Sequence, residues 1–246
     1  MTRLQAENRA IDLFFRDDDA DEDEASLWEL ADLFLRHRLP LNLEVIPGRM
    51  EASTVINLLM RVRRSPELLE LNQHGWRHIN HETTGRKCEF GPSRSPEAQR
   101  ADIAAGKARM DEAFGSRWHP VFTPPWNRCT DETLRILDQL GFEVFSRDCG
   151  KESVSGYRFR EISTSLDLYR WKNGVEMRPA EEIVRELILQ FDGPAPIGLL
   201  LHHKVMDMTA FAFLDWLLRE ITMFPNIRVH TFRSLMAAKR MTTARI

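Results

Sequence analysis

The chain has 246 residues, with 34 Lys plus Arg against 37 Asp plus Glu and a formal net charge of −3. That balance excludes a protein that lives on nucleic-acid backbones, which shows a basic surplus. The 43% hydrophobic fraction excludes disorder as the main state, and the longest aliphatic stretch, near Ile197–Leu201, is far short of a membrane span.

Short apolar runs alternate with helix-period segments along the chain. The runs are Ile11–Phe15, Leu41–Ile46, Leu68–Leu71, Val121–Phe122, Phe142–Phe145, Ile197–Leu201 and Ile227–His230. Ser26–His37 carries Leu27, Leu30, Ala31, Phe34 and Leu35 on one stripe, and Pro40 stops it. Ser95-Pro96-Glu97 is an N-cap with Pro at the first helical position, opening a helix toward Phe114. Asp131–Leu140 ends at Gly141, and Glu181–Phe191 and Phe211–Ile221 are two further amphipathic candidates. Strand and helix alternating about seven times predict an α/β fold, a distorted (β/α)7-type barrel forming a single domain over residues 1–246. The stretch Gly156–Gly174 is the least regular, so the distortion is expected there.

The polar residues fall at equivalent places. Asp17-Asp18-Asp19 follows the first run, His74-Gly75-Trp76-Arg77-His78 the third, and Pro124-Pro125-Trp126 the fourth. Ser146-Arg147-Asp148 follows the fifth run, and His202-His203 the run Ile197–Leu201. In a parallel barrel these points share the carboxyl-end rim, where such folds place chemistry. Asp17–Asp19 abut a buried strand, where an ionised carboxylate needs a partner or a metal, whereas Asp21–Glu24 read as a solvated loop. Adjacent Asp residues point to opposite sides of an extended chain, so one can bind a cation while its neighbour stays free as a base. His74 and His78 are spaced to share a helical face, which suits a divalent metal once a carboxylate completes the set, and His81 is a further candidate ligand or supporting group. One of His202 and His203 should face the barrel mouth and the other should pack sideways.

Taken in order, these motifs resemble those of the polysaccharide deacetylase family (the NodB-homology domain). FRDDDA at 15–20 is similar to the first motif, HGWRH at 74–78 to the second, TPPW at 123–126 to the third, and LLLHH at 199–203 to the fifth. The resemblance implies a distorted barrel, a divalent metal, often zinc, and removal of N- or O-acetyl groups from sugars. Carried over by residue, it makes Asp18 the general base, Asp19, His74 and His78 the metal ligands, and His202 the general acid. The register is chosen so that Ala20 stands where the family has a small Gly. Pro125 and Trp126 would then shape the rim, and Trp76, Trp126 and Trp171 either stack on sugar faces or pack within it.

Two departures follow. Thr123 stands where the third motif has an Arg that pairs with the catalytic Asp; Arg128 is expected to supply that charge in preference to Arg16. The motif that orients the general acid is filled either by Asp148 or by Asp167 with Trp171. The expected partner is a carbohydrate or a small N-acetylated substrate, with neither nucleic acid nor membrane. Two rival readings keep the fold: an amidohydrolase of a non-sugar amide, and a non-catalytic carbohydrate-binding barrel. The opening MTRLQAENRAIDLFF lacks the pattern of an export signal, and Cys88, Cys129 and Cys149 are scattered with no CxxC. Both point to a cytoplasmic setting, and the scattered cysteines argue against a thiolate zinc site.

Overall fold

The structure, a computed structural model, describes residues 10–243 apart from 151 and 173, with side chains within its last helix described to 238. Residues 1–9, on which the export-signal reading mainly rests, lie outside the described residues. No helix among the described residues is long and apolar enough to cross a membrane.

The elements in chain order are β1 Ile11–Ala20, α1 Ala25–His37, β2 Leu41–Val45, α2 Ala52–Arg64, β3 Leu69–His74, α3 Pro96–Phe114, β4 Trp118–Thr123, α4 Asp131–Gln139 and β5 Val144–Phe145. Four two-residue strands follow, β6 Arg160–Glu161, β7 Leu166–Asp167, β8 Tyr169–Arg170 and β9 Glu176–Met177. Then come α5 Ala180–Leu189, β10 Ile197–Leu201, α6 Met208–Thr222, β11 Ile227–His230 and α7 Phe232–Thr243. The main sheet has the order β6-β5-β4-β3-β2-β1-β10-β7, with β11 beside β1. Its pairings are parallel.

β6 and β7 belong to one stretch, 160–167, and that stretch closes the ring. On one side Arg160 pairs with Val144, and the Thr164 amide donates to the Arg147 carbonyl at 2.8 Å. On the other side Leu166 pairs with Leu199 of β10. The barrel therefore has seven staves, with its irregular stave inside the stretch expected to be distorted. Helix boundaries follow local chemistry. The Ser95 hydroxyl accepts the Ala98 amide at the start of α3, Thr130 and Thr133 form a reciprocal capping pair at the start of α4, and Gly141 after α4 sits at φ +75°.

Two helices absent from the sequence reading are α2 and α7. The buried stripe of α2 is only Thr54, Leu58 and Val62, interrupted by Arg61, Arg63 and Arg64, so its period is weak. α7 puts Phe232 and Leu235 beneath the barrel, where they meet Phe14, Val121, Val144 and Ile162 in a small apolar floor. The alternate face of β1, Leu13 and Phe15, joins the larger core under the helices. Gly198 is required by the floor: a Cβ there would lie 2.2 Å from the Phe14 ring. By strand alternation, the face that begins with Phe14 continues upward as Arg16 and then Asp18.

Candidate metal and catalytic site

Above the apolar floor the barrel interior turns polar, and β1 supplies its centre. Arg16 is fully buried and grips Asp18 through two bonds, Nε to Oδ1 at 2.8 Å and Nη2 to Oδ2 at 3.0 Å. The same guanidinium donates to Ser146 Oγ at 3.0 Å and to Asn127 Oδ1 at 2.7 Å. This corrects the expectation for the displaced family Arg. Arg128 reaches the cleft wall, but its Nη1 donates to the Lys87 carbonyl at 3.0 Å, and Arg16 is the residue that clamps Asp18. β1 stays extended through Asp18, so residues two apart share a face and Arg16 lies beside the carboxylate.

Asp19 leaves the strand pattern at φ +76°. Its Oδ1 lies 3.3 Å from His74 Nε2 and 3.2 Å from His78 Nε2. Among the described residues this trio is the group of potential metal-ligating side chains whose donor atoms lie within 4.8 Å of one another. Two ligand atoms about 2.0–2.1 Å from a common ion at the tetrahedral angle stand roughly 3.3 Å apart, so the spacing fits a divalent cation. Asp19 Oδ1 is buried without a hydrogen-bond partner among the described residues, as an atom reserved for an ion would be. His74 Nδ1 lies 3.0 Å from the Thr123 carbonyl, which takes its N–H and leaves Nε2 free to ligate. Burial would raise the Asp19 carboxyl, but His74, then His78 and His202, pull it well below the ordinary carboxylate range. Burial would lower His74, but Asp18 and Asp19 raise it to about 9; burial and the His74 charge lower His78 to about 4.

A cleft of about 590 Å³ opens over these groups and is lined by Asp18, Asp19, His74, His78, His202 and Trp126, among others. Arg128, Asp148, Asp167 and Trp171 complete its far side. Pro125 stands behind the lining, where a Cβ on Gly75 would come within 2.6 Å of its ring. The Trp126 ring leans on His78 with centroids 4.3 Å apart. Of the two carboxylates expected to orient His202, the contacts single out Asp167. The Trp171 indole donates to Asp167 Oδ2 at 2.8 Å and meets the His202 ring edge-on at 4.6 Å. Asp148 also lines the cleft, and its backbone bridges Thr164. Burial raises the Asp167 carboxyl, against the pull of His202.

The paired histidines separate as strand alternation requires. His202 faces the cleft, while His203 packs sideways onto Asp17, which accepts its amide at 2.8 Å and faces its Nδ1 at 2.7 Å. Asp21 departs from the solvated-loop reading: it is fully buried and pairs with Lys204 and with Arg49 Nε, the latter at 2.9 Å. His81 is exposed and outside the ligand trio. Sequence reasoning also missed Glu44, fully buried beside Arg16; its carboxyl oxygens have no hydrogen-bond partner among the described residues. A carboxylate in the fully buried strand LNLEV, on the face shared with Asn42, was the available signal.

Comparison with known proteins agrees with this fold. The polysaccharide deacetylase family profile matches residues 6–145. A Mycobacterium smegmatis structure described as a polysaccharide deacetylase superposes with a TM-score of 0.77 at 16% identity, covering 96% of this chain and 92% of that one. A Clostridium thermocellum family 4 acetyl xylan esterase, in complex with a cobalt ion, gives 0.61 at 16% identity over 93% and 91%. A Bacillus anthracis protein described as a family 4 carbohydrate esterase pseudoenzyme gives 0.61 at 16% identity over 93% and 66%. At such identities these likenesses speak to the fold alone, and a search of curated proteins returned no match. The family profile spans more than half of the chain and takes in Asp18, Asp19, His74 and His78, so the chain belongs to the polysaccharide deacetylase family.

Proposed function

We propose that the chain is a metal-dependent hydrolase that removes the acetyl group from an N-acetylated sugar or glycoconjugate. The observation that supports this reading best is the convergence of Asp19, His74 and His78 in a cleft flanked by Asp18 and His202. Two imidazoles and one carboxylate are a donor set that suits zinc, and a bound divalent ion would polarise the acyl carbonyl and lower the pKa of water.

The remaining work falls to the chain's own groups. Asp18 accepts the proton of the attacking water. Arg16 holds both oxygens of that carboxylate in place, so it meets the water in a fixed orientation. His202 donates a proton to the departing nitrogen, which is a poor leaving group as a free amide anion. Trp171, held by its bond to Asp167, packs edge-on against the His202 ring, and Trp126 and Trp171 offer apolar faces for a sugar ring. The close Arg16–Asp18 pair weighs against the non-catalytic reading, since it supplies the support that Thr123 lacks.

The test is metal content combined with acetate release from a panel of N-acetylated sugars and non-sugar acetamides. Asp18→Asn and His202→Ala should each retain metal while turnover falls by roughly 10²–10⁴-fold. If Asp18→Asn abolishes metal binding and Asp19→Asn spares it, the two roles are exchanged. Release from the acetamides alone favours the amidohydrolase, and release from none of the panel by metal-loaded chain refutes the deacetylase reading.

A further inference from the structure

The loop that carries His78 lies outside the helices and strands. Gly75 and His78 sit at φ +57° and +56°, a left-handed geometry that is strained for His78. A turn of this kind can gather successive backbone N–H groups into a concavity that attracts an anion. Glu89, only 1% exposed, fills it. Its Oε2 accepts the Trp76 amide at 3.1 Å, and its Oε1 accepts the Arg77 amide at 2.8 Å and the Ile79 amide at 3.5 Å. Among the described residues no Lys or Arg side chain pairs with this carboxyl; its partners are the loop's own amides.

The loop is held from its other side as well. Gly48 donates its amide to the Trp76 carbonyl at 2.8 Å, and a Cβ there would lie 2.7 Å from Arg77 Cγ. A Cβ on Gly75 would lie 2.3 Å from Glu89 Oε2, so the glycine is what lets the carboxylate approach. Neighbours of Glu89 reach the second rim loop: Cys88 Sγ donates to the Arg128 carbonyl at 3.3 Å, and Phe90 forms a backbone bridge with Cys129. The carboxylate therefore ties the His78 loop to the loop that carries Trp126.

We infer that Glu89 is a positioning residue for the metal centre, whose carboxylate sets the turn that aims His78 Nε2 at Asp19 and His74. This rests on reading Asp19, His74 and His78 as metal ligands. Glutamine at 89 keeps one acceptor oxygen but turns an NH2 group toward an amide N–H, and alanine leaves all three amides unpaired.

The test uses the metal-free full chain and cobalt(II), whose visible absorption reports its coordination. Glu89→Ala should weaken cobalt binding about 10–100-fold, with Glu89→Gln between it and wild type and His78→Ala weaker still. Glu70→Gln is the control. That carboxyl, also buried, holds the Arg233 amide at 3.0 Å from the opposite end of β3. Its loss should lower thermal stability and leave cobalt affinity and spectrum unchanged. Cobalt affinities within about threefold of wild type for both Glu89 variants, alongside loss in His78→Ala, would overturn the inference. So would an equal loss in Glu70→Gln. If Glu89→Ala does not fold, Glu89→Gln carries the comparison. Equal weak binding by wild type and His78→Ala would instead sink the ligand reading, and the inference with it.

Discussion

Arg16→Met should be among the most damaging single substitutions in the barrel. It removes a cation that is fully buried and leaves Asp18, itself 3% exposed, without its two bonds. Ser146 and Asn127 lose their donor as well. Breaking a buried ion pair by removing one partner costs about 3–5 kcal/mol, because the other charge stays buried. For a chain of this size that is a fall in melting temperature of roughly 6–20 °C. Arg128→Met, whose guanidinium donates to the Lys87 carbonyl at 3.0 Å, should change stability by about 0.5 kcal/mol or less. The double variant Arg16→Met/Asp18→Asn should be less destabilised than the sum of its parts, with a coupling of about 1–3 kcal/mol. Thermal denaturation in chelator measures wild type, both Arg variants, Asp18→Asn and the double variant without interference from metal. Strict additivity, or an Arg128 variant as unstable as the Arg16 variant, would refute the assignment of Arg16 as the partner of Asp18.

Burial lifts the Glu44 carboxyl to about 8 against the pull of Arg16. Its folded value lies above its unfolded one, so its contribution to stability is complete below about pH 4.5 and is lost as pH rises through 8. Glu44→Gln should therefore gain on wild type across that window, by up to several kcal/mol, and parallel stability–pH curves in chelator would contradict this. His74, raised to about 9, carries a proton at neutral pH in the metal-free chain, whereas His78, lowered to about 4, does not. Metal uptake at pH 7 should then release about one proton, and affinity should climb about tenfold per pH unit toward 9; calorimetry in buffers of different ionisation enthalpy that finds none would refute it. Trp171→Phe keeps the ring against His202 but loses the bond to Asp167, so turnover should fall about tenfold with metal affinity unchanged, and a weakened metal site would show the contact acts elsewhere.

What was legible in the sequence was whatever repeats or punctuates. Ser95-Pro96, Gly141 and the apolar runs mark element ends because caps and strands use few residue types, and the rim clusters stand out because polar residues end apolar strands. Side-chain direction at the rim was harder. Choosing Arg128 over Arg16 assumed that β1 turns into its loop before Asp18, but the strand runs on to Ala20. Asp21 read as solvated because neither Arg49 nor Lys204, 28 and 183 residues away, is a sequence neighbour. Glu89 carries no local signal of role, because it serves backbone amides, and the strand LNLEV marks Glu44 without showing the buried groups that other strands bring beside it.

The three consecutive aspartates show how one strand organises the site. Strand alternation sends Asp17 outward to His203 and Asp18 inward to Arg16. Continued alternation would send Asp19 outward with Asp17, away from the cleft. The left-handed backbone at Asp19 breaks the pattern and brings its carboxylate to His74 and His78. A non-glycine residue holds such a conformation only where its surroundings fix it. Four of the five non-glycine residues at positive φ among the described residues, Asp19, His78, Trp126 and Asn127, belong to this rim, and the fifth, Arg38, closes α1. The strain is thus gathered where side chains must leave the direction their strand or turn would give them. Asp18 shares the face of Arg16 without a positive φ, which is consistent with a base whose support, Arg16, comes from the same strand two residues earlier.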